Sequence, residues 1–154
     1  MERKWLRLCA ALVIANLLFI WGNSLLPGPV SAAISGFVRD IAALFLPAGG
    51  EGKPVAGEGI LRKIAHVLEF CSLGLLLCML LSMLRKPYFC SLPLGIFAGC
   101  IDECLQLLVP ERGPHIRDVG IDTLGVIAGL GVFTIALAIR KHKKSTTNLE
   151  ETKL

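Results

Sequence analysis

Four long apolar runs constrain this chain more than any other feature of its sequence. They cover about residues 5–22, 61–84, 88–109 and 119–139, and each approaches the roughly 20 residues that a helix needs to cross a bilayer core. Hydrophobic residues make up 54% of the 154 positions, which is more than in an ordinary soluble protein. We therefore predict an all-α fold, a polytopic membrane bundle of four transmembrane helices that forms one domain over residues 1–154.

The positive charges beside these runs predict the orientation of the chain, because flanking Lys and Arg residues stay on the cytoplasmic side of a membrane. They lie before the first run, between the second and third, and after the fourth. We expect a multi-pass protein of the cytoplasmic membrane with both termini in the cytoplasm. The segments 23–60 and 110–118 then face outward. The basic residues are Arg3, Lys4, Arg7, Arg85, Lys86, Arg140, Lys141, Lys143 and Lys144.

The segments outside the four runs have patterns of their own. Apolar residues from Ile34 to Phe45 recur at helical spacing, so we predict a short amphipathic helix at about 31–46 on the outer membrane surface. The alternative is a lid over the mouth of the bundle. The polar tail at 145–154 is expected to be disordered. No basic surface interleaved with aromatic residues is present, so the expected partner is the lipid bilayer and not a nucleic acid.

Ionisable residues are costly inside a membrane, and they therefore mark candidate functional sites. The last three runs each carry polar side chains along one helical face, near the end that the charge pattern places outside. These are Lys63, His66 and Glu69 in the second run, Asp102, Glu103 and Gln106 in the third, and Asp122 in the fourth, with Asp118 directly before that run. Because these side chains lie at similar depth in the membrane and face the interior of the bundle, we predict that they line one outward-facing cavity.

Glycines extend the acidic faces of the third and fourth runs. Gly95 and Gly99 lie four residues apart, as do Gly125 and Gly129, and such small-residue spacing lets membrane helices approach closely. We predict that the third and fourth helices contact each other through these glycines. The acids would then point inward.

The chemistry of the polar residues suggests candidate catalytic roles. Glu69, or one member of the pair Asp102 and Glu103, could act as a general base, and His66 is the natural partner for proton transfer. Lys63 and Gln106 complete the candidate catalytic set.

A second set of residues is expected to bind the ligand. Guanidinium groups suit phosphate or carboxylate recognition. Arg112 and Arg117 lie on the side that the charge rule makes external, which suggests that each has a partner there. Asp118 and Asp122 are the remaining candidates for ligand binding.

Three motifs resemble the VanZ-like family of bacterial membrane proteins. They are "RKIAHVLEF", "DECLQLLVPERG" and "RDVGIDTLGVIAG", within residues 61 to about 130. The first run and the tail lie outside this resemblance. By position it selects Lys63, His66, Glu69 and Phe70, then Asp102, Glu103 and Gln106, then Arg112, Asp118, Gly125 and Gly129.

The resemblance implies a role in the cell envelope but no particular reaction. The family is named for a protein associated with resistance to the glycopeptide teicoplanin. Asp122 stands where the family often has Asn, and this departure adds a negative charge.

Three interpretations of the polar residues remain open at this point. In the first, the protein acts on a lipid-linked or lipid-tailed envelope molecule, by binding or by catalysis. In the second, the charges form an ion-pair network that only organises the bundle. In the third, His66, Glu69 and Asp102, with Asp118 or Asp122, hold a divalent metal ion for a membrane hydrolase. The sequence does not decide the oligomeric state.

The orientation predicts which loops a reagent can reach from outside. In a variant without native cysteines, His115→Cys should react with a membrane-impermeant thiol reagent added to intact cells, and Lys86→Cys should react only after lysis. The opposite labelling pattern would contradict both the topology and an outward-facing site.

Overall fold

Four long helices form the fold in the computed structural model, which describes residues 2–27, 30, 58–110 and 116–151. Among these residues there is no strand, and the all-α prediction is confirmed. The predicted surface helix at 31–46 lies outside the described residues. The helices are α1 at Glu2–Ser24, α2 at Glu58–Met83, α3 at Ser91–Gln106 and α4 at Ile116–Glu151, and a 3-10 turn at Tyr88–Cys90 leads into α3.

All four helices are long and apolar enough to cross a membrane, as the sequence predicts. Their outer surfaces are also apolar: Leu18, Phe97 and Ile135 are each more than 60% exposed. Large exposed apolar surfaces of this kind mark a membrane-facing region. The bundle therefore has the surface expected of a multi-pass membrane protein.

The fourth helix is longer than its predicted span. It continues to Glu151 and includes residues 145–151, for which the sequence predicted a disordered tail. Residues 140–151 contain neither Gly nor Pro, and without such a residue the helix has no strong signal to end.

The closest approach between helices is that of α4 to α2. A Cβ atom on Gly125 would stand 2.6 Å from the carbonyl oxygen of Val67, and one on Gly129 would collide with the carbonyl oxygen of Cys71. Gly74 on α2 faces the backbone of Val126 in the same way. The predicted close packing through the α4 glycines is present. The predicted partner is wrong, because Gly125 and Gly129 face α2 and not α3.

The glycines of α3 do face α4, as predicted. Gly95 lies against the side chain of Val126, and a Cβ atom on Gly99 would stand 3.3 Å from Oδ2 of Asp122. The small residues of three helices therefore let α4 pack into the groove between α2 and α3. Asp122 is carried into the interior with it.

Helix α1 packs against α2 in the opposite direction. Val13 and Ile20 of α1 join Phe70, Leu73 and Val126 in one buried apolar cluster. Because α1 and α3 run the other way from α2 and α4, the last turns of α1 and α3 lie at the same end as the first turns of α2 and α4.

The opposite end of the bundle is basic. Helix α2 ends in a Schellman-type turn, in which the N–H of Lys86 donates to the carbonyl of Leu81 at 2.8 Å and the N–H of Arg85 donates to Ser82 at 3.1 Å. Arg85 occupies the left-handed position of this turn, with φ of 55°. Arg3 and Arg85 line a common surface cleft, so two of the predicted cytoplasmic clusters share one end.

Two glycines of α4 provide a matched test of the α2–α4 contact. Gly129→Ala should destabilise the protein by about 1–3 kcal/mol, because the methyl group overpacks a contact with backbone. Gly131→Ala is the control, since a Cβ atom there meets nothing within 4 Å. It should leave stability unchanged or raise it by about 0.5–1 kcal/mol through helix propensity. Equilibrium unfolding of both variants in detergent mixtures would measure this difference, and equal stabilities would refute the contact.

Candidate functional site

Polar side chains from all four helices meet at the end of the bundle opposite Arg3 and Arg85. The end of α1 contributes Asn23 and Ser24, and the end of α3 contributes Asp102. The early turns of α2 and α4 contribute His66 and Asp122. The antiparallel order of the helices brings these positions together, although they lie far apart in the sequence.

Asp102 connects α1 and α3. Its side chain is fully buried, and its Oδ2 accepts hydrogen bonds from Ser24 Oγ at 2.7 Å and from Gln106 Nε2 at 3.0 Å. Its other oxygen, Oδ1, has no hydrogen-bond partner. One side of this carboxylate is therefore fixed, and the other side is free to bind.

Asp122 faces His66 across the α2–α4 contact. His66 Nδ1 lies 3.4 Å from Asp122 Oδ1, which is longer than a well-formed N–H···O hydrogen bond. Asp122 is only 1% exposed, and neither of its carboxylate oxygens has a hydrogen-bond partner. A buried polar group without a partner usually costs about 1–3 kcal/mol, and more if it is charged. The burial of Asp122 without a hydrogen-bond partner therefore lowers the stability of the folded chain.

Glu69 belongs to a second polar chain that joins α1 to α2. Its Oε1 accepts a hydrogen bond from Asn23 Nδ2 at 2.8 Å. One turn further along, Ser72 Oγ donates to the backbone oxygen of Glu69, and Asn16 Nδ2 donates to Ser72 Oγ, both at 2.7 Å. These bonds hold the start of α2 against the end of α1.

The centre of the site is formed by His66, Asp102 and Asp122. Each can offer one ligand atom, and these three atoms lie within 4.8 Å of one another. They come from α2, α3 and α4, so the predicted convergence of three stripes is present for these residues. Glu69 and Gln106 make their hydrogen bonds at the same end of the bundle. Glu103 is buried at this end as well, with 6% of its surface exposed.

The three predicted cationic residues and Asp118 lie outside this buried centre or outside the described residues. Lys63 and Arg117 are exposed, and Asp118 is half-buried. Arg112 lies outside the described residues. Every Lys and Arg whose side chain the structure describes is exposed, so none of these reaches the buried centre. The roles predicted for these four residues stay predictions.

The contribution of α1 is the part that the sequence interpretation missed. Asn16 and Asn23 lie seven residues apart on the inward face of α1, and Trp21 Nε1 donates to the carbonyl of Ala98 at 3.3 Å. Two asparagines at heptad spacing inside an apolar run are the signal that could have found this face. Ser24 gives no such signal, because it lies at the end of its run.

The chain also matches a known family along most of its length. The sequence profile of the VanZ/LLP1 family matches residues 9–137, whereas no curated protein and no solved structure gives a match. The matched range includes α1, which the motif resemblance left outside. It therefore spans all four helices that build the polar site. The chain belongs to the VanZ/LLP1 family.

Proposed function

We propose that this protein acts at the outer face of the cytoplasmic membrane on a lipid-linked or lipid-tailed molecule of the cell envelope, with a role in the response to the glycopeptide teicoplanin. The observation that carries the proposal is the position of an apolar groove beside the polar site. An amphiphile has the same two parts, a hydrocarbon chain and a polar head group.

The groove lies among α1, α2 and α3 and has a volume of about 220 Å³. Its lining is apolar and includes Leu17, Leu94 and Phe97. Trp21 and Ile101 also line it, and they lie three residues before Ser24 and one before Asp102. A hydrocarbon chain in this groove would place its head group within about one helical turn of the polar centre.

The charge distribution supports an outward-facing site. Arg3, Lys4, Arg85 and Lys86 are exposed at the end opposite the polar centre, and Arg140 and Lys141 lie near the C-terminal end of the candidate span Ile116–Lys143. By the positive-inside rule this basic end is cytoplasmic. The polar centre then lies on the side of the outer leaflet, where envelope molecules are exposed.

The polar centre has groups suited to a head group rich in hydroxyl, amide or amine donors. Asp102 and Asp122 retain carboxylate oxygens without hydrogen bonds, and these oxygens can accept from such donors. His66 is 19% exposed at its side chain and lies 3.4 Å from Asp122, and an imidazole in this position supports proton transfer to a bound molecule.

A purely structural role explains these residues less well. The helices already dock through the glycine contacts of α4 and through the apolar cluster around Phe70 and Val126. A buried ion pair adds little net stability compared with apolar packing. Among the described residues, Asp122 has only the long contact to His66 at 3.4 Å and no hydrogen bond, so this pair adds little to the docking of α4.

Isosteric variants test whether the acids act on a ligand. Asp102→Asn and Glu69→Gln keep the side-chain volume and remove one charge each. The test uses a bacterium whose teicoplanin susceptibility depends on this protein. Cells carrying either variant should be as susceptible as cells that lack the protein, although each variant inserts into the membrane at the wild-type level. Minimal inhibitory concentrations and quantified membrane fractions are the measurements.

The control for these variants is Glu151→Gln, which removes a carboxylate at the opposite end of α4. It should keep the wild-type susceptibility. If the variants of Asp102 and Glu69 lose phenotype only in proportion to lost folded protein, the network is structural and the proposed function is refuted. If Asp102→Asn and Glu69→Gln both keep the wild-type teicoplanin susceptibility, these acids do not form the functional site.

A bulky residue in the groove tests the hydrocarbon part separately. Leu94→Trp should fill the groove and abolish the phenotype, because the chain of the ligand loses its place. Leu12→Trp is the control: Leu12 is exposed to a similar degree, 47% against 45%, and does not line the groove. Equal susceptibility in cells carrying either variant would show that the groove holds no part of the ligand.

A further inference from the structure

We infer that His66, Asp102 and Asp122 form a binding site for one divalent transition-metal ion of the Mn²⁺ and Zn²⁺ class. The three residues come from three helices, and one ligand atom of each lies within 4.8 Å of the others. This site goes beyond the proposed function, and it can exist whether or not the ligand is an envelope lipid.

The distances among the donors fit a metal shell. Ligand atoms bound about 2.1 Å from a tetrahedral ion stand about 3.4 Å apart. His66 Nδ1 and Asp122 Oδ1 are 3.4 Å apart, which is long for a hydrogen bond and right for two ligands of one ion. The third donor, from Asp102, lies within 4.8 Å of the other two, so a movement of at most about 1.4 Å brings it to the spacing of the same shell.

The unpaired oxygens give independent support for a bound cation. Three of the four carboxylate oxygens of Asp102 and Asp122 have no hydrogen-bond partner, although both residues are at most 1% exposed. His66 Nδ1 also lacks one. Two buried carboxylates facing each other repel, and a buried charge persists only if it is paired or coordinates a metal. A divalent ion at their common centre supplies that partner.

The surrounding residues orient the ligands as an outer shell does. Ser24 and Gln106 both donate to Asp102 Oδ2, which fixes the carboxylate and leaves Oδ1 without a hydrogen-bond partner. Gly99 has no side chain to block Asp122, because a Cβ atom there would stand 3.3 Å from its Oδ2. The approach of α3 to α4 thus leaves room for the carboxylate.

The donor set determines the class of ion. Carboxylates alone favour Mg²⁺ or Ca²⁺, whereas an added imidazole favours transition metals. Three protein ligands leave coordination positions for water or a bound molecule, as in catalytic sites. The sequence offered His66, Glu69 and Asp102, with Asp118 or Asp122, as ligands. The structure brings the donor atoms of His66, Asp102 and Asp122 together, whereas Glu69 Oε1 accepts a hydrogen bond from Asn23.

The experiment is a titration of the full-length protein in lipid nanodiscs. The protein is stripped with a chelator, and MnCl₂ binding is followed by electron paramagnetic resonance of the free ion. The wild type should bind one Mn²⁺ per chain, and ZnCl₂ should compete for it. His66→Gln, Asp102→Asn and Asp122→Asn should each weaken binding about 10-fold or more.

A control variant separates this site from non-specific binding. His142→Gln removes a histidine at the opposite end of α4, and it should bind Mn²⁺ as the wild type does. If the wild type binds Mn²⁺ and none of the three ligand variants weakens this binding, the proposed site is overturned. It is also overturned if the wild type does not bind Mn²⁺ stoichiometrically.

A measurement on the wild type alone guards against misfolded variants. Pulsed electron paramagnetic resonance of the Mn²⁺-loaded protein should show coupling to one imidazole nitrogen. A bound ion with no nitrogen coupling would refute His66 as a ligand and overturn the site. Because these readouts measure binding and not susceptibility, the metal site and the proposed function can fail separately.

Discussion

The buried carboxylate of Asp102 is the group on which the rest of the polar site depends. It lies on α3, is held by Ser24 from α1 and by Gln106 from its own helix, and stands beside His66 and Asp122. A carboxylate at 0% exposure in an apolar bundle is stable only if its surroundings replace water. The polar ends of the four helices therefore have to lie at the same depth as Asp102. The antiparallel order of the helices brings them to that depth.

The close glycine contacts make this depth and register possible. Gly125 and Gly129 bring the backbone of α4 against α2, and Gly99 opens space on α3 for Asp122. In a membrane, where lipid and side chains are equally apolar, such packing is a main source of helix association. The glycine contacts set the positions of the acids, and the hydrogen bonds of Asp102 and Glu69 add connections between α1 and its neighbours.

Most of the fold follows from the sequence, because span length and apolar character are local properties. The four runs and the inward direction of Asp102 and Asp122 could be predicted in this way. The helix that packs against the α4 glycines could not be predicted, because small residues on one face indicate a close neighbour without identifying it. The position of Gly74 against Val126 identifies that neighbour as α2, and this position is known only from the structure. The bonds of Asn23 and Ser24 likewise depend on where α1 ends relative to α2 and α3.

The most direct test of a single site shared among helices is a double-mutant cycle between Ser24 and Asp102. Unfolding free energies in detergent would be measured for Ser24→Ala, Asp102→Ala and the double variant. Because these side chains share a buried hydrogen bond to a carboxylate, a coupling of about 1.5–3 kcal/mol is expected. Effects that add to within about 0.5 kcal/mol would show that the two residues do not interact. That result would contradict a polar centre built from α1 and α3 together.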